Sequence, residues 1–159
     1  MASSTVNNLV FYLRTLRPPP RRDQDQPQVP RGAALFQQVG CAACHTPELQ
    51  SGDNPIAVLH RRPVPLYSDL LLHDLGSGLA DQYPEGEANG NEWRTTPLWG
   101  LGVVKNLLGG EEFYLHDGRA RTLREAITLH GGEAQRVTEA FTALPSPSQE
   151  DLLAFLRSL

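Results

Sequence analysis

The run Cys41-Ala42-Ala43-Cys44-His45 contains both cysteines of the 159-residue chain in a C-x-x-C-H array, and no other feature restricts the fold as strongly. This spacing is the one that attaches a c-type haem. Two thiols separated by two residues reach one edge of a porphyrin and add to its vinyl groups, while the adjacent imidazole comes to lie under the iron as proximal ligand. On this reading Cys41 and Cys44 anchor one covalent haem c and His45 ligates its iron. A zinc site would need four ligands and would have to recruit two more from His60, His73, His116 or His130, which lack paired spacing. A thioredoxin-like dithiol follows a strand in a βαβ pattern that is not visible here, and a disulfide framework normally uses more cysteines.

The length suits one haem domain plus an appended segment, with the cofactor filling part of the core. A formal net charge of −4 with mixed signs argues against a nucleic-acid surface. No apolar run is long enough to span a bilayer, and residues 1–14 lack the basic start and cleavage site of a secretory signal. Covalent haem attachment in bacteria takes place outside the cytoplasmic membrane. The expected location is therefore periplasmic, with the export signal carried by a segment upstream of this chain.

Val6, Leu9, Val10, Leu13 and Leu16 recur at helical spacing, and Pro18-Pro19-Pro20 stops that helix. Residues 17–30 are rich in Pro, Arg, Asp and Gln and read as an exposed linker. The expected organisation is a helix and Pro-rich linker over residues 1–30, the tail of a preceding domain, followed by a haem domain over 31–159. Within that domain, residues 32–39 form a short helix leading into the haem motif, with Leu35, Phe36 and Val39 on its apolar face. Residues 46–66 and 78–91 are loops, and 67–75 is a short apolar helix stopped by Gly76. Residues 122–130 form a helix with a Thr122–Glu125 capping box. Gly131-Gly132 ends it, residues 133–144 form another, and Ser148 with Asp151 opens the last. No strand pattern stands out. The expected fold class is all-α, a cytochrome c-like helical domain with long loops organised by one covalent haem.

The second axial position separates electron transfer from peroxide chemistry. Met1, the only methionine, lies outside the expected haem domain. His130 precedes two glycines that let the backbone approach a porphyrin. His116 lies in a tight turn beside Arg119, which has the chemistry of a propionate partner. His73 reads as a core residue and His60 as a solvated one.

Three longer motifs carry a resemblance: Leu70-Leu71-Leu72-His73-Asp74-Leu75-Gly76, Glu92-Trp93-Arg94-Thr95-Thr96-Pro97-Leu98-Trp99-Gly100 and His116-Asp117-Gly118-Arg119-Ala120-Arg121-Thr122-Leu123. Together they resemble the C-terminal half of the bacterial di-haem oxidoreductases known as thiol oxidoreductases, relatives of di-haem cytochrome c peroxidase and of the methylamine-utilisation di-haem enzyme. The resemblance covers most of residues 32–159. It implies a fragment, or a naturally separate half, of a two-haem protein. In the peroxidases a His-x-Gly turn precedes a helix ending in the methionine ligand of the C-terminal haem, and the methylamine-utilisation enzyme has tyrosine there. Counting from His116, the matching position is His130. The peroxidases' Thr-x-Pro stretch, which helps to hold an inter-haem calcium, is replaced by Glu111-Glu112-Phe113, which counts against calcium. Leu75 stands where the family often has methionine after its His-Asp pair, and offers no ligand atom.

Among the remaining candidates, Trp93 suits either a haem edge or core packing, and Trp99 suits packing. Arg94 and Arg119 are candidate propionate partners, since a guanidinium pairs bidentately with a carboxylate; each equally suits a surface ion pair. Asp74 and Asp117 could orient neighbouring imidazoles, and Asp117 also suits a turn. The expected role is an electron-transfer module relaying to a second haem in an upstream domain or separate protein and exchanging electrons with a donor or acceptor protein. The alternative is a peroxidase-like oxidoreductase reacting at an open site on this haem.

Overall fold

The structure, a computed structural model, describes residues 3–159; Met1, set aside above as an axial ligand, lies outside them. The amphipathic segment forms α1 (Ser3–Arg14), none of whose residues is buried. The Pro-rich segment after it is partly docked: Arg22 N–H donates to the Ser158 carbonyl at 2.8 Å, and the Arg21 guanidinium lies over the Phe155 ring at 5.3 Å.

The core is the crossing of α2 (Gln28–Gln38) with the terminal helix α6 (Ser146–Ser158). Leu152, Leu153, Phe155 and Leu156 bury one stripe of α6 against Phe36 and Val29 of α2. Burial of each such side chain stabilises the fold by roughly 1.5–3 kcal/mol. Phe36, Tyr67 and Phe155 form an aromatic triangle with centroid separations of 5.3–6.0 Å. The helices cross closely because position 32 has no side chain: a Cβ there would lie 2.0 Å from the Asp151 carbonyl oxygen. Beside the crossing, Arg31 pairs with both carboxylate oxygens of Asp151 at 2.7 and 2.8 Å. Pro145 and Pro147 at the start of α6 occupy positions where a missing N–H costs no helical bond.

The all-α expectation is overturned by two small antiparallel sheets. β1 (Leu49–Gln50) pairs with β2 (Pro63–Val64), and β3 (Leu72–Asp74) pairs with β4 (Glu92–Arg94) in the register Leu72↔Arg94, His73↔Trp93 and Asp74↔Glu92. The fold is therefore mixed. Residues 67–75, expected to be helical, instead form turns leading into β3, for a local reason. Ser68 Oγ accepts from Leu70 N–H at 2.9 Å and Asp69 Oδ1 accepts from Leu71 N–H at 2.9 Å. These side-chain turns compete with a helix, and Tyr67 and Leu70 adopt positive φ of 52° and 62°. A short apolar run has no periodicity that would reveal this.

Between β4 and the last helices lie α3 (Leu101–Leu107), which the sequence reading left unassigned, and α4 (Leu123–Leu129), followed by α5 (Gln135–Ala143). α4 starts as expected, with Thr122 Oγ1 accepting from Glu125 N–H at 3.0 Å. The Glu125 carboxylate reaches Arg121 N–H at 2.7 Å, one residue before the cap. Among the described residues no helix is long and apolar enough to cross a membrane.

Gly32→Ala must push α2 off the α6 backbone, so it should lower unfolding stability by about 1–3 kcal/mol. Gly52→Ala, where an added Cβ has nothing within 4 Å, should cost far less. Denaturant midpoints of the two variants measure the difference, and equal midpoints would remove Gly32 from the crossing.

Candidate functional site

Just after α2, Gly40 has a φ of 99°, a conformation open to glycine at little cost. The reversed chain makes a single 3-10 turn over Cys41–Ala43, and His45 N–H closes onto the Cys41 carbonyl at 2.9 Å. This compact turn brings Cys41, Cys44 and His45 to the wall of one cavity of about 490 Å³, within the range of small-molecule and cofactor sites. Residues of α4 and α5, His130, β3, β4 and the segments after β4 complete its lining. The lining is largely apolar.

Both cysteines are free thiols. Burial pushes Cys41 up to about 12. Cys44 is raised too, first by burial and then by the Asp69 and Glu133 carboxylates. Neither is a thiolate at neutral pH, which disfavours a reactive dithiol pair.

His45 and His130 are arranged alike. His45 Nδ1–H donates to the Tyr67 carbonyl at 2.9 Å, and His130 Nδ1–H donates to the Ala126 carbonyl at 2.6 Å. Burial lowers the pKa of both, and the nearby His130 lowers His45 further. Two neutral imidazoles thus line the cavity with Nδ1 committed to the backbone, and neither Nε2 has a hydrogen-bond partner among the described residues. A backbone acceptor on one ring nitrogen fixes the tautomer and leaves the other to bind a metal. His130 caps α4, and the Thr138 hydroxyl donates to its carbonyl at 2.7 Å.

The other histidines are occupied differently. His116 stacks on Trp93 with centroids 3.4 Å apart and an interplanar angle of 12°. His60 accepts from Asn54 N–H at the surface. His73 lies between Asp69 and Glu133 at 2.8 Å from each. Both carboxylates, Glu133 first, raise its pKa, and with a carboxylate oxygen on each ring nitrogen it has no nitrogen free to bind a metal. Cys44, Asp69 and His73 have ligand atoms within 4.8 Å of one another, but three groups with His73 so committed do not complete a zinc set.

Trp93 and Arg94 line the cavity, and the Arg94 guanidinium donates to the Leu70 carbonyl. Arg119 is not in the lining. It pairs with Asp117 at 2.6 Å and donates to the Gly78 carbonyl at 2.6 Å, while Asp117 forms the side-chain turn that its sequence context suggests. Trp93 Nε1 is buried with no hydrogen-bond partner among the described residues. A buried indole N–H without an acceptor is costly, and an acceptor supplied by a group in the cavity, such as a propionate, would relieve it. The cavity volume, the paired imidazoles and this unmatched donor fit an iron porphyrin.

The sequence reading did not foresee Asp69 and Glu133 as partners of His73, or the His116–Trp93 stack. Sequence separation hid the first, since Glu133 is 60 residues from His73. The stack depends on β4 placing Trp93 beside the 113–116 segment. No curated protein and no solved structure matches the chain. Residues 1–159 match the family described as "Di-haem oxidoreductase, putative peroxidase". The chain, with its cavity suited to a haem, belongs to the di-haem oxidoreductase family.

Proposed function

We propose that this chain is a c-type haem domain that carries one covalently attached haem and serves as the C-terminal, electron-transfer half of a two-haem oxidoreductase. The observation that carries the reading is the pair of neutral imidazoles, His45 and His130, each tied through Nδ1 to a backbone carbonyl and lining the same cavity. Cys41 and Cys44 would anchor the haem through thioether bonds, and His45 and His130 would hold its iron. When bound, the haem supplies a one-electron redox centre whose potential is lower with a second histidine than with methionine.

The protein's own residues bind and shield. The apolar lining excludes water, and Trp93 Nε1, buried without a partner among the described residues, would donate to a propionate. With His130 as a ligand, the iron would have no position open to an oxidant, which favours relay over catalysis here. The partners expected are a second haem, on an upstream domain or another polypeptide, and an electron donor or acceptor protein. Because covalent haem attachment takes place outside the bacterial cytoplasmic membrane, the reading carries a periplasmic location with it.

Produced in a host competent for cytochrome c maturation, the protein should stain for haem on a denaturing gel. Cys41→Ala and Cys44→Ala should each weaken that retention and lower the melting temperature, and a colourless, folded wild type with both thiols free would overturn the proposal. The ferric spectrum should be low-spin and insensitive to cyanide and peroxide. His130→Ala should keep the haem but turn it high-spin and open to both ligands; an unchanged spectrum in that variant removes His130 from the iron. A high-spin wild type that binds both ligands would instead support the peroxidase reading. Trp93→Phe should destabilise the haem-loaded protein by about 1–3 kcal/mol, the cost of leaving a buried acceptor unpaired. Equal melting curves for wild type and Trp93→Phe would separate the indole from the propionate.

A further inference from the structure

His73 joins the two segments that present the cavity's imidazoles. Its ring nitrogens lie 2.8 Å from Asp69 Oδ2 and 2.8 Å from Glu133 Oε2, and its side chain is only 18% exposed. Each carboxylate is rooted on a different side. Asp69 N–H donates to the Cys44 carbonyl at 2.9 Å, and two residues before it the Tyr67 carbonyl accepts from His45 Nδ1–H. Glu133 lies three residues after His130, and its second oxygen accepts from Asp74 N–H at 3.1 Å. Between His130 and Glu133 the backbone runs directly against the end of β3: a Cβ on Gly132 would lie 2.2 Å from the Asp74 carbonyl oxygen, and one on Gly131 would lie 2.9 Å from that of Leu75. A continuous path therefore runs from the haem motif through Asp69, His73 and Glu133 to the His130 segment.

We propose that His73 is a positioning residue, an ionic strut that sets the spacing and mutual orientation of the His45 and His130 imidazoles through Asp69 and Glu133. The inference rests on the reading of those two histidines as axial ligands. An isolated surface ion pair would have little influence on geometry. Here the imidazole and Asp69 are shielded while Glu133 is 56% exposed, and both ring nitrogens make charge-assisted hydrogen bonds that favour one distance and one ring plane. Without the strut, Asp69 and Glu133 lose their shared cation and the His130 segment is held to β3 mainly by the Glu133–Asp74 contact and glycine packing.

The test uses the haem-loaded protein as wild type, His73→Ala, Glu133→Gln and His130→Ala. Two quantities are measured: the g values of the ferric protein by electron paramagnetic resonance, which report the orientation of axial imidazoles, and the rate of carbon monoxide binding to the ferrous protein. His73→Ala and Glu133→Gln should keep the covalent haem, shift the largest g value and bind carbon monoxide about tenfold faster, the scale of losing one hydrogen bond to a charged group. A lowered melting temperature with unchanged g values and binding rate would make His73 merely structural and overturn the proposal. If His73→Ala does not fold, Glu133→Gln decides alone, since its carboxamide oxygen can still accept from Asp74 N–H. A His130→Ala protein that remains low-spin would refute the axial reading itself, whereas a high-spin His130→Ala beside unaltered His73 and Glu133 variants refutes only the strut.

Discussion

A buried imidazole directs a lone pair into a cavity only when its other nitrogen has somewhere to place a proton. In this protein the Tyr67 and Ala126 carbonyls meet that requirement for His45 and His130, and much of the surrounding structure serves to keep those two acceptors in place. Tyr67 adopts a positive φ, an uncommon conformation for a bulky residue. It is held there by its own N–H bond to the Pro47 carbonyl, by the Ser68 bond to Thr46 and by its ring packing on Phe36 and Phe155. Ala126 lies in α4, and because the His130 N–H bonds to the Ile127 carbonyl, the Ala126 carbonyl is met by the His130 ring. The α2–α6 crossing matters to the site because Phe36 and Leu156 belong both to the core and to the cavity wall.

Local chemistry was readable from the chain wherever the signal was local. The C-x-x-C-H turn, the Thr122 cap and the apolar stripe of α6 depend on residues within a few positions of one another, and sequence spacing determines them. His130 was singled out because two glycines follow it, and the structure does bring the backbone there into close approach, although against β3. Residues 67–75 were misread because the hydroxyl of Ser68 and the carboxylate of Asp69 turn the chain out of a helix, an effect that a run of leucines conceals. Pro, Arg, Asp and Gln give residues 17–30 the composition of an exposed linker, yet Arg21 and Arg22 dock on the end of α6. What the sequence could not show was pairing across distance: β3 with β4, and His73 with Glu133.

Electrostatics around the cavity follow the same division. Burial lowers the pKa of His45 and His130 and raises those of the two thiols, whereas the carboxylates flanking His73 raise its pKa. A group that must donate a lone pair and a group that must carry charge therefore lie in one pocket without exchanging roles. Desolvation sets the first state and ion pairing the second.

The order His130-Gly131-Gly132-Glu133 follows from this arrangement. The carbonyl of His130 and that of Ile127 before it are both met by the Thr138 hydroxyl, so α4 can stop at His130 without a glycine cap. The glycines serve a different purpose. Gly132 has a φ of 53°, and any side chain there would collide with the Asp74 carbonyl, so the segment can lie flat against β3 only with glycine at that position. Glu133 is then the first residue able to carry a side chain back toward His73 and Asp74. An imidazole, two positions of close approach and a carboxylate in sequence place a metal-binding nitrogen and the group that steadies it on opposite ends of a single backbone contact.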